Sequence, residues 1–417
     1  MYFLPSVAMI VSNRDIKILF ATSSIRLFAY GFLSVVLALY LAAVGLTGQE
    51  IGLVFTLTLL GDAIVSLWIT TRADRFGRRG MLILGAGLMV LAGITFALTS
   101  NIVLLVVASI IGVLSPSGKE IGPFLSIEQA ALSQLLPDER RTQIFAWYNV
   151  AASFAGALGA LTGGAIAHVL QSQGLAVIDS YRVLVLAYAA CGLILVLLFL
   201  GLSSSTEPTR VTLPTASSFF GLHKSKRVVL KLSMLFGLDA FGGGFIVQSM
   251  IAYWFYLKFG VSVDVLGEIF FGVNLIAGIS ALVAARIAKR IGLINTMVFT
   301  HIPSNILLCL VPVMPTLPLA AGMLLLRFTI SQMDVPTRQS YTMAVVSEDE
   351  RSAASGMTTI ARSLGASVSP ALTGIFLASP ALLSFPFFLA GGIKIAYDLL
   401  VYSGFRKLKP PEELEEV

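Results

Sequence analysis

Twelve apolar runs, each bounded by charges or turn residues, follow one another at about 18–43, 51–71, 81–99, 102–136, 143–170, 182–202, 229–257, 265–286, 294–313, 318–346, 352–378 and 382–404. A helix of roughly 20 apolar residues, rising about 1.5 Å per residue, crosses the hydrocarbon of a bilayer. The pattern therefore predicts an all-α integral membrane protein with twelve transmembrane helices. They fall into two pseudo-symmetric six-helix bundles, 1–202 and 229–417, joined by a cytoplasmic linker over 203–228 that is rich in Ser, Thr and Pro. The opening stretch Tyr2 to Val11 is apolar but too short to span and carries no basic n-region or cleavage site, so it is expected to lie on the membrane surface. The tail from Pro410 to Val417 is acidic and reads as a solvated end.

Composition narrows the class. Of 417 residues only 12% are charged and 57% are hydrophobic, with a mean hydropathy of +0.90, against about 25% charged in soluble domains. A water-soluble enzyme is excluded, and twelve crossings leave no length for a separate folded domain. The net charge of +6 follows from topology and not from a nucleic-acid partner. Most Lys and Arg sit in the ends and one alternate set of loops, while the opposite set holds Arg182 and Lys258. Positive residues resist translocation, which places both termini in the cytoplasm of a multi-pass protein of the cell (inner) membrane. Cys191 and Cys309 lie inside apolar runs, and His168, His223 and His301 are isolated, so neither a disulfide scaffold nor a metal site is read and no cofactor is expected.

The chain repeats itself. Ala160-Leu161-Thr162-Gly163 recurs as Ala371-Leu372-Thr373-Gly374, and Asp138-Glu139-Arg140 as Asp349-Glu350-Arg351, both 211 residues on. Gly31-Phe32 and Tyr40 match Gly244-Phe245 and Tyr253 at 213, and Ala73 to Gly77 answers to Ala288 to Gly292 at 215. Parallel halves of this kind enclose a solute site near the bilayer midplane and rock about it, which is the design of a transporter. No filter-like segment suggests a channel.

Ionisable side chains inside apolar runs are costly and mark polar cavities. Arg26 lies near the middle of the first run, and its repeat mate, 213 residues on, is Asp239. The two could form a pair that substrate breaks, act as separate ligands, or make a permanent ion pair. Arg327, Asp334 and Arg338, at spacings of seven and four on the tenth run, share one helix face. The fourth run carries Glu120 and Glu128 and is interrupted by Pro116-Ser117-Gly118 and Gly122-Pro123, and the seventh contains Gly242-Gly243-Gly244. Broken helices bare backbone groups that can bind ions or substrate. The expected substrate and proton site comprises Arg26, Tyr30, Glu120, Glu128, Asp239, Arg327, Asp334 and Arg338. Asp62 and Arg362 read as gate or interhelix partners or, equally, as structural residues, and Lys394 and Asp398, four apart, as a pair that neutralises itself.

The loop Thr70-Thr71-Arg72-Ala73-Asp74-Arg75-Phe76-Gly77-Arg78-Arg79 resembles the major facilitator superfamily signature G-x-L-A-D-R-x-G-R-R, with Thr70 in place of the Gly and Arg72 in place of the Leu. The resemblance extends over the whole chain through the twelve runs, the linker and the second copy at Ala288 to Gly292. Gly159-Ala160-Leu161-Thr162-Gly163-Gly164 is similar to the G-P-x-x-G-G motif of drug:proton exporters, with Ala160 replacing Pro. Ordinary small-residue packing is the plainer reading of these glycines. The resemblance implies that helices 1, 4, 7 and 10 line a cavity and that Asp74, with Arg75, Gly77 and Arg78, latches the loop to the start of helix 11 near Ser352. The arginines serve equally well to enforce topology.

These readings converge on a proton-coupled secondary active transporter of a small organic solute working by alternating access, not an enzyme, with efflux antiport as the first reading. An importer of an organic anion or nutrient and a non-transporting receptor are the alternatives. Four intramembrane arginines, Arg26, Arg327, Arg338 and Arg362, favour a carboxylate or phosphate on the solute. The partners expected are that solute, protons and the lipid bilayer, with the chain a monomer.

Overall fold

A computed structural model describes residues 13–120, 122–208, 223–347, 350–406 and 408, apart from the side chains of 138, 139, 142 and 352. The stub Tyr2 to Val11, most of the linker and the acidic tail lie outside the described residues. Every regular element among the described residues is helical. We label the α-helices α1 (Arg14–Ala43), α2 (Gly48–Phe76), α3 (Arg78–Leu98), α4 (Ile102–Ile111), α5 (Phe124–Leu135), α6 (Asp138–Ser172), α7 (Val177–Leu200), α8 (Lys226–Gly244), α9 (Gln248–Phe259), α10 (Val263–Ile291), α11 (Leu293–Leu310), α12 (Leu317–Phe328), α13 (Asp334–Ala344), α14 (Arg351–Leu377) and α15 (Phe385–Phe405).

Among the described residues, ten spans are long and apolar enough to cross a membrane, counting α8 and α9 as one. The fourth and tenth runs instead form two pieces each. In the fourth, Pro116 has no N–H to donate, and Gly118 and Gly122 take φ of +64° and +82°, a region that L side chains rarely adopt. The helix therefore stops at Ile111 and restarts at Phe124. In the tenth, Pro336 cannot donate to the Gln332 carbonyl and its ring would collide with it, so α13 starts afresh at Asp334. The seven-residue step from Arg327 to Asp334 thus crosses a break and is not the single helix face expected from the spacing.

The exterior is apolar and the interior holds the charge, the reverse of a soluble protein. Leu98 and Leu197 are 77% and 61% exposed, whereas Arg26 and Asp239 are 0% and 2% exposed.

The chain divides into two compact units, the first made of Met1–Leu46, Leu57–Leu213 and Val261–Asn274, the second of Thr47–Thr56, Pro214–Gly260 and Leu275–Val417. In the first, α1 and α6 approach until backbone meets backbone. A Cβ on Gly31 would lie 2.0 Å from the Gly156 carbonyl oxygen, and one on Gly159 2.0 Å from that of Phe28. In the second, α8 and α14 repeat the device, with a Cβ on Gly365 only 2.2 Å from the Gly237 carbonyl. Small residues permit this closeness where lipid offers no hydrophobic driving force for association. Phe236, Met297, Tyr341, Tyr397 and Phe405 form an apolar cluster that ties α8, α11, α13 and α15 together.

Candidate functional site

In the first unit the site is built around Arg26. Thr22 and Arg26, one turn apart on α1, share a face. The guanidinium donates to Glu128 from both terminal nitrogens at 2.9 and 2.7 Å, and to Glu120 at 2.8 and 3.2 Å. On an unbroken helix Glu120 and Glu128 would stand roughly 12 Å apart; the break before α5 brings both onto one arginine. Glu128 also accepts from the Thr22 hydroxyl at 2.7 Å and from the Tyr148 hydroxyl, and it is wholly buried. Glu120 keeps 19% of its side chain exposed. The guanidinium lies 4.7 Å from the centre of the Phe124 ring, a cation–π contact. Tyr30 is fully buried, its ring 6.5 Å from that of Tyr188.

In the second unit Asp239 is the hub. Its Oδ1 accepts from Lys394 Nζ at 2.6 Å, and its Oδ2 from Arg362 at 3.1 Å and Arg338 at 3.3 Å. Arg338 also reaches Asp334, one turn back on α13, at 2.9 Å. His301 on α11 stands between two aspartates, with Nδ1 2.8 Å from Asp398 and Nε2 4.0 Å from Asp239. Asn305 donates to the other oxygen of Asp398 at 3.2 Å. Arg327 is 5% exposed, its guanidinium stacks 4.8 Å over Phe328, and its Nε has no hydrogen-bond partner.

Arg26 is held by Glu120 and Glu128 within the first unit, and Asp239 by Lys394, Arg362 and Arg338 within the second. Asp62 accepts from Ser66 at 3.3 Å and from the Gly122 N–H at the helix break, while Arg362 is held by Asp239. Lys394 and Asp398 do not neutralise one another: one turn apart on α15, they fan out to Asp239 and His301. His301, read as isolated, is part of this network. Lys394 and Asp398, read outside the site, belong to it as well, and Asn305, Tyr148 and Thr22 are not singled out by the sequence at all. The signal that points to the charged ones is charge balance, since every ionised group within lipid depth must find a counter-charge.

The signature loop turns between α2 and α3 at Gly77, whose φ is +94°. Asp74 is 63% exposed and accepts from Arg78 Nε at 2.9 Å. Arg78 also donates to Gln134 at 2.9 Å, and Arg75 lies 5.6 Å from the Phe76 ring. Glu207, not singled out from sequence, accepts the Arg78 and Arg79 N–H groups at 2.7 and 3.1 Å and so caps α3. A carboxylate at a helix N-terminus satisfies orphan donors and the dipole together. The second copy turns likewise at Gly292, with φ +86°.

Glu350 performs a related task for α8. Burial by itself would raise its pKa, but the Ser225 hydroxyl and the His223, Ser225 and Lys224 N–H groups hold it down at about 2. The Lys224 and Ser225 N–H bonds measure 2.7 and 2.8 Å.

A family model described as the Major Facilitator Superfamily matches residues 19–370 and 233–416. The Saccharomyces cerevisiae protein described as uncharacterized membrane protein YJR124C is 32% identical, over 94% of both chains. The quinolone resistance protein NorA of Staphylococcus aureus is 25% identical over 38% of this chain and 39% of its own. Among solved structures, that of a D-xylose-proton symporter, 17% identical, superposes with a TM-score of 0.73 over 92% of this chain and 96% of the other.

Proposed function

The chain belongs to the Major Facilitator Superfamily, a family of transporters and not of enzymes, and from that premise we propose that it moves a small organic anion across the membrane by proton-coupled alternating access. One observation carries the choice of solute. The described interior of the second unit holds Arg327, Arg338, Arg362 and Lys394 against Asp239, Asp334 and Asp398, and Arg327 keeps a buried nitrogen without a partner. These four cations outnumber the three carboxylates, and a buried donor left without an acceptor is costly. A carboxylate or phosphate on the solute supplies the missing charge, and the planar guanidinium suits either geometry.

In this reading the two broken runs are crossings that bring the total to twelve, with both termini in the cytoplasm. Arg26, Tyr30, Glu120, Glu128, Asp239, Arg327, Asp334 and Arg338 serve solute and proton. Asp74, Arg75, Gly77, Arg78, Asp62 and Arg362 serve the gates. Glu120, partly exposed and sharing its arginine, is better suited to exchange a proton than Glu128, which four donor groups hold.

The test is purified protein in proteoliposomes loaded with a pH-sensitive dye and challenged with dicarboxylates, aromatic carboxylates, phosphate esters and cationic dyes. At least one anion should move protons in the wild type and not in Arg327→Gln. Proton movement with cationic dyes alone overturns the anion reading. Efflux antiport is the second reading, favoured by the likeness to the quinolone resistance protein; proton movement opposite to the solute would select it.

A further inference from the structure

We propose that His301 carries the coupling proton, held between Asp398 and Asp239. The assignment rests on the proton-coupled reading above and adds to it a residue on α11 outside the substrate and gate sets. The ring is 3% exposed and is the one histidine among the described residues that faces two buried carboxylates. A carboxylate 2.8 Å from Nδ1 can only accept, so Nδ1 carries the hydrogen in the neutral ring and the Nε2 lone pair is turned toward Asp239. A proton delivered by water adds to Nε2. The ring becomes imidazolium, donating to Asp398 from Nδ1 and pointing its new N–H at Asp239; loss of that proton to water restores the starting tautomer.

The surroundings give the step a consequence. Asp398 and the Tyr397 ring, 6.1 Å away, face the ring from α15 and Asp239 from α8, and Asp239 in turn holds Lys394 from α15, Arg338 from α13 and Arg362 from α14. Asp239 is already shared by three cations. A charged His301 adds a fourth, which loosens the hold on Arg362. At 35% side-chain exposure Arg362 is the least buried of the three and the readiest to turn to another anion. Protonation and anion binding then favour each other, and the effect is reciprocal. Proton and anion travel together. Ser304 Oγ and Asn305 Oδ1, buried without partners, are the polar atoms that water carrying the proton would use.

The experiment is histidine side-chain nitrogen NMR on the full chain in lipid nanodiscs from pH 5 to 9, with His301→Gln identifying its signal among the three histidines. The neutral His301 ring should be the Nδ1–H tautomer, acidification should convert it to the doubly protonated ring, and Asp398→Asn should remove the preference for Nδ1–H. A ring that stays in one form throughout, or a tautomer indifferent to Asp398→Asn, overturns the assignment, and His168→Gln and His223→Gln assign the His301 signal by elimination where the His301 variant fails to fold. A silent ring in a protein whose anion flux follows the proton gradient removes His301 and leaves the transport reading standing. A titrating ring in a protein whose flux ignores the gradient removes the transport reading and this one with it.

Discussion

Glu128 binds both terminal nitrogens of Arg26, at 2.9 and 2.7 Å, and neither side chain keeps any exposed surface. A buried pair is weak evidence of net stabilisation, yet removing one partner strands the other in low dielectric. Arg26→Ala strands two carboxylates, Glu128→Gln weakens one contact, and Glu120→Gln leaves Arg26 its bidentate partner. Thermal unfolding in detergent should rank the losses in that order, with Arg26→Ala costing about 3–5 kcal/mol. Equal unfolding temperatures for Arg26→Ala and Glu120→Gln would contradict this account.

The Asp239 hub makes a sharper prediction through a double-mutant cycle. Asp239→Asn leaves Lys394, Arg338 and Arg362 without their common anion, whereas Lys394→Met leaves Asp239 two arginines. The aspartate variant should be the less stable of the two, and the double variant should regain part of the loss, with a coupling on the order of 1–3 kcal/mol. Additive effects would mean that the 2.6 Å contact carries no energy.

Gly159 tests the helix packing. An alanine methyl there would stand 2.0 Å from the Phe28 carbonyl oxygen, while Gly87 has nothing within 4 Å. Gly159→Ala should destabilise by about 1–3 kcal/mol or more. Gly87→Ala should be neutral or stabilise by up to about 1 kcal/mol through helix propensity. A Gly159→Ala protein as stable as wild type would refute the close approach of α1 and α6.

Glu350 gives a pH dependence with a definite sign. Its pKa is held at about 2 against an ordinary 4.5, so the unfolded chain takes up its proton first on acidification. The stabilisation is complete above the unfolded value and is lost as pH falls from about 4.5 toward 2. Stability measured from pH 6 down to 3 should fall less steeply in Glu350→Gln than in wild type, and parallel curves would remove the carboxylate from the α8 cap.

Much of this site can be read from residue order. Charges within apolar runs announce a polar interior, and Pro116 with its neighbouring glycines announces a broken helix. Partner choice cannot be read this way. Arg26 and Glu120 are 94 positions apart, and Asp239 and Lys394 are 155 apart. Periodicity tells which face a side chain occupies on its own helix, but not which helix lies opposite. The assumption that Lys394 and Asp398 neutralise one another failed for that reason: spacing allows the contact, and stronger partners across the unit took both.

The chain's own order determined that it spans a membrane, where its apolar runs lie, that the fourth and seventh of them are interrupted, and which loop carries the family's signature, because bilayer thickness and backbone hydrogen bonding act residue by residue. Tertiary structure decided which acid meets which base, that His301 stands between two aspartates, and that Glu207 and Glu350 cap helices. Those outcomes depend on counter-charges competing in a medium of low dielectric, and that competition is settled only when distant helices are in place.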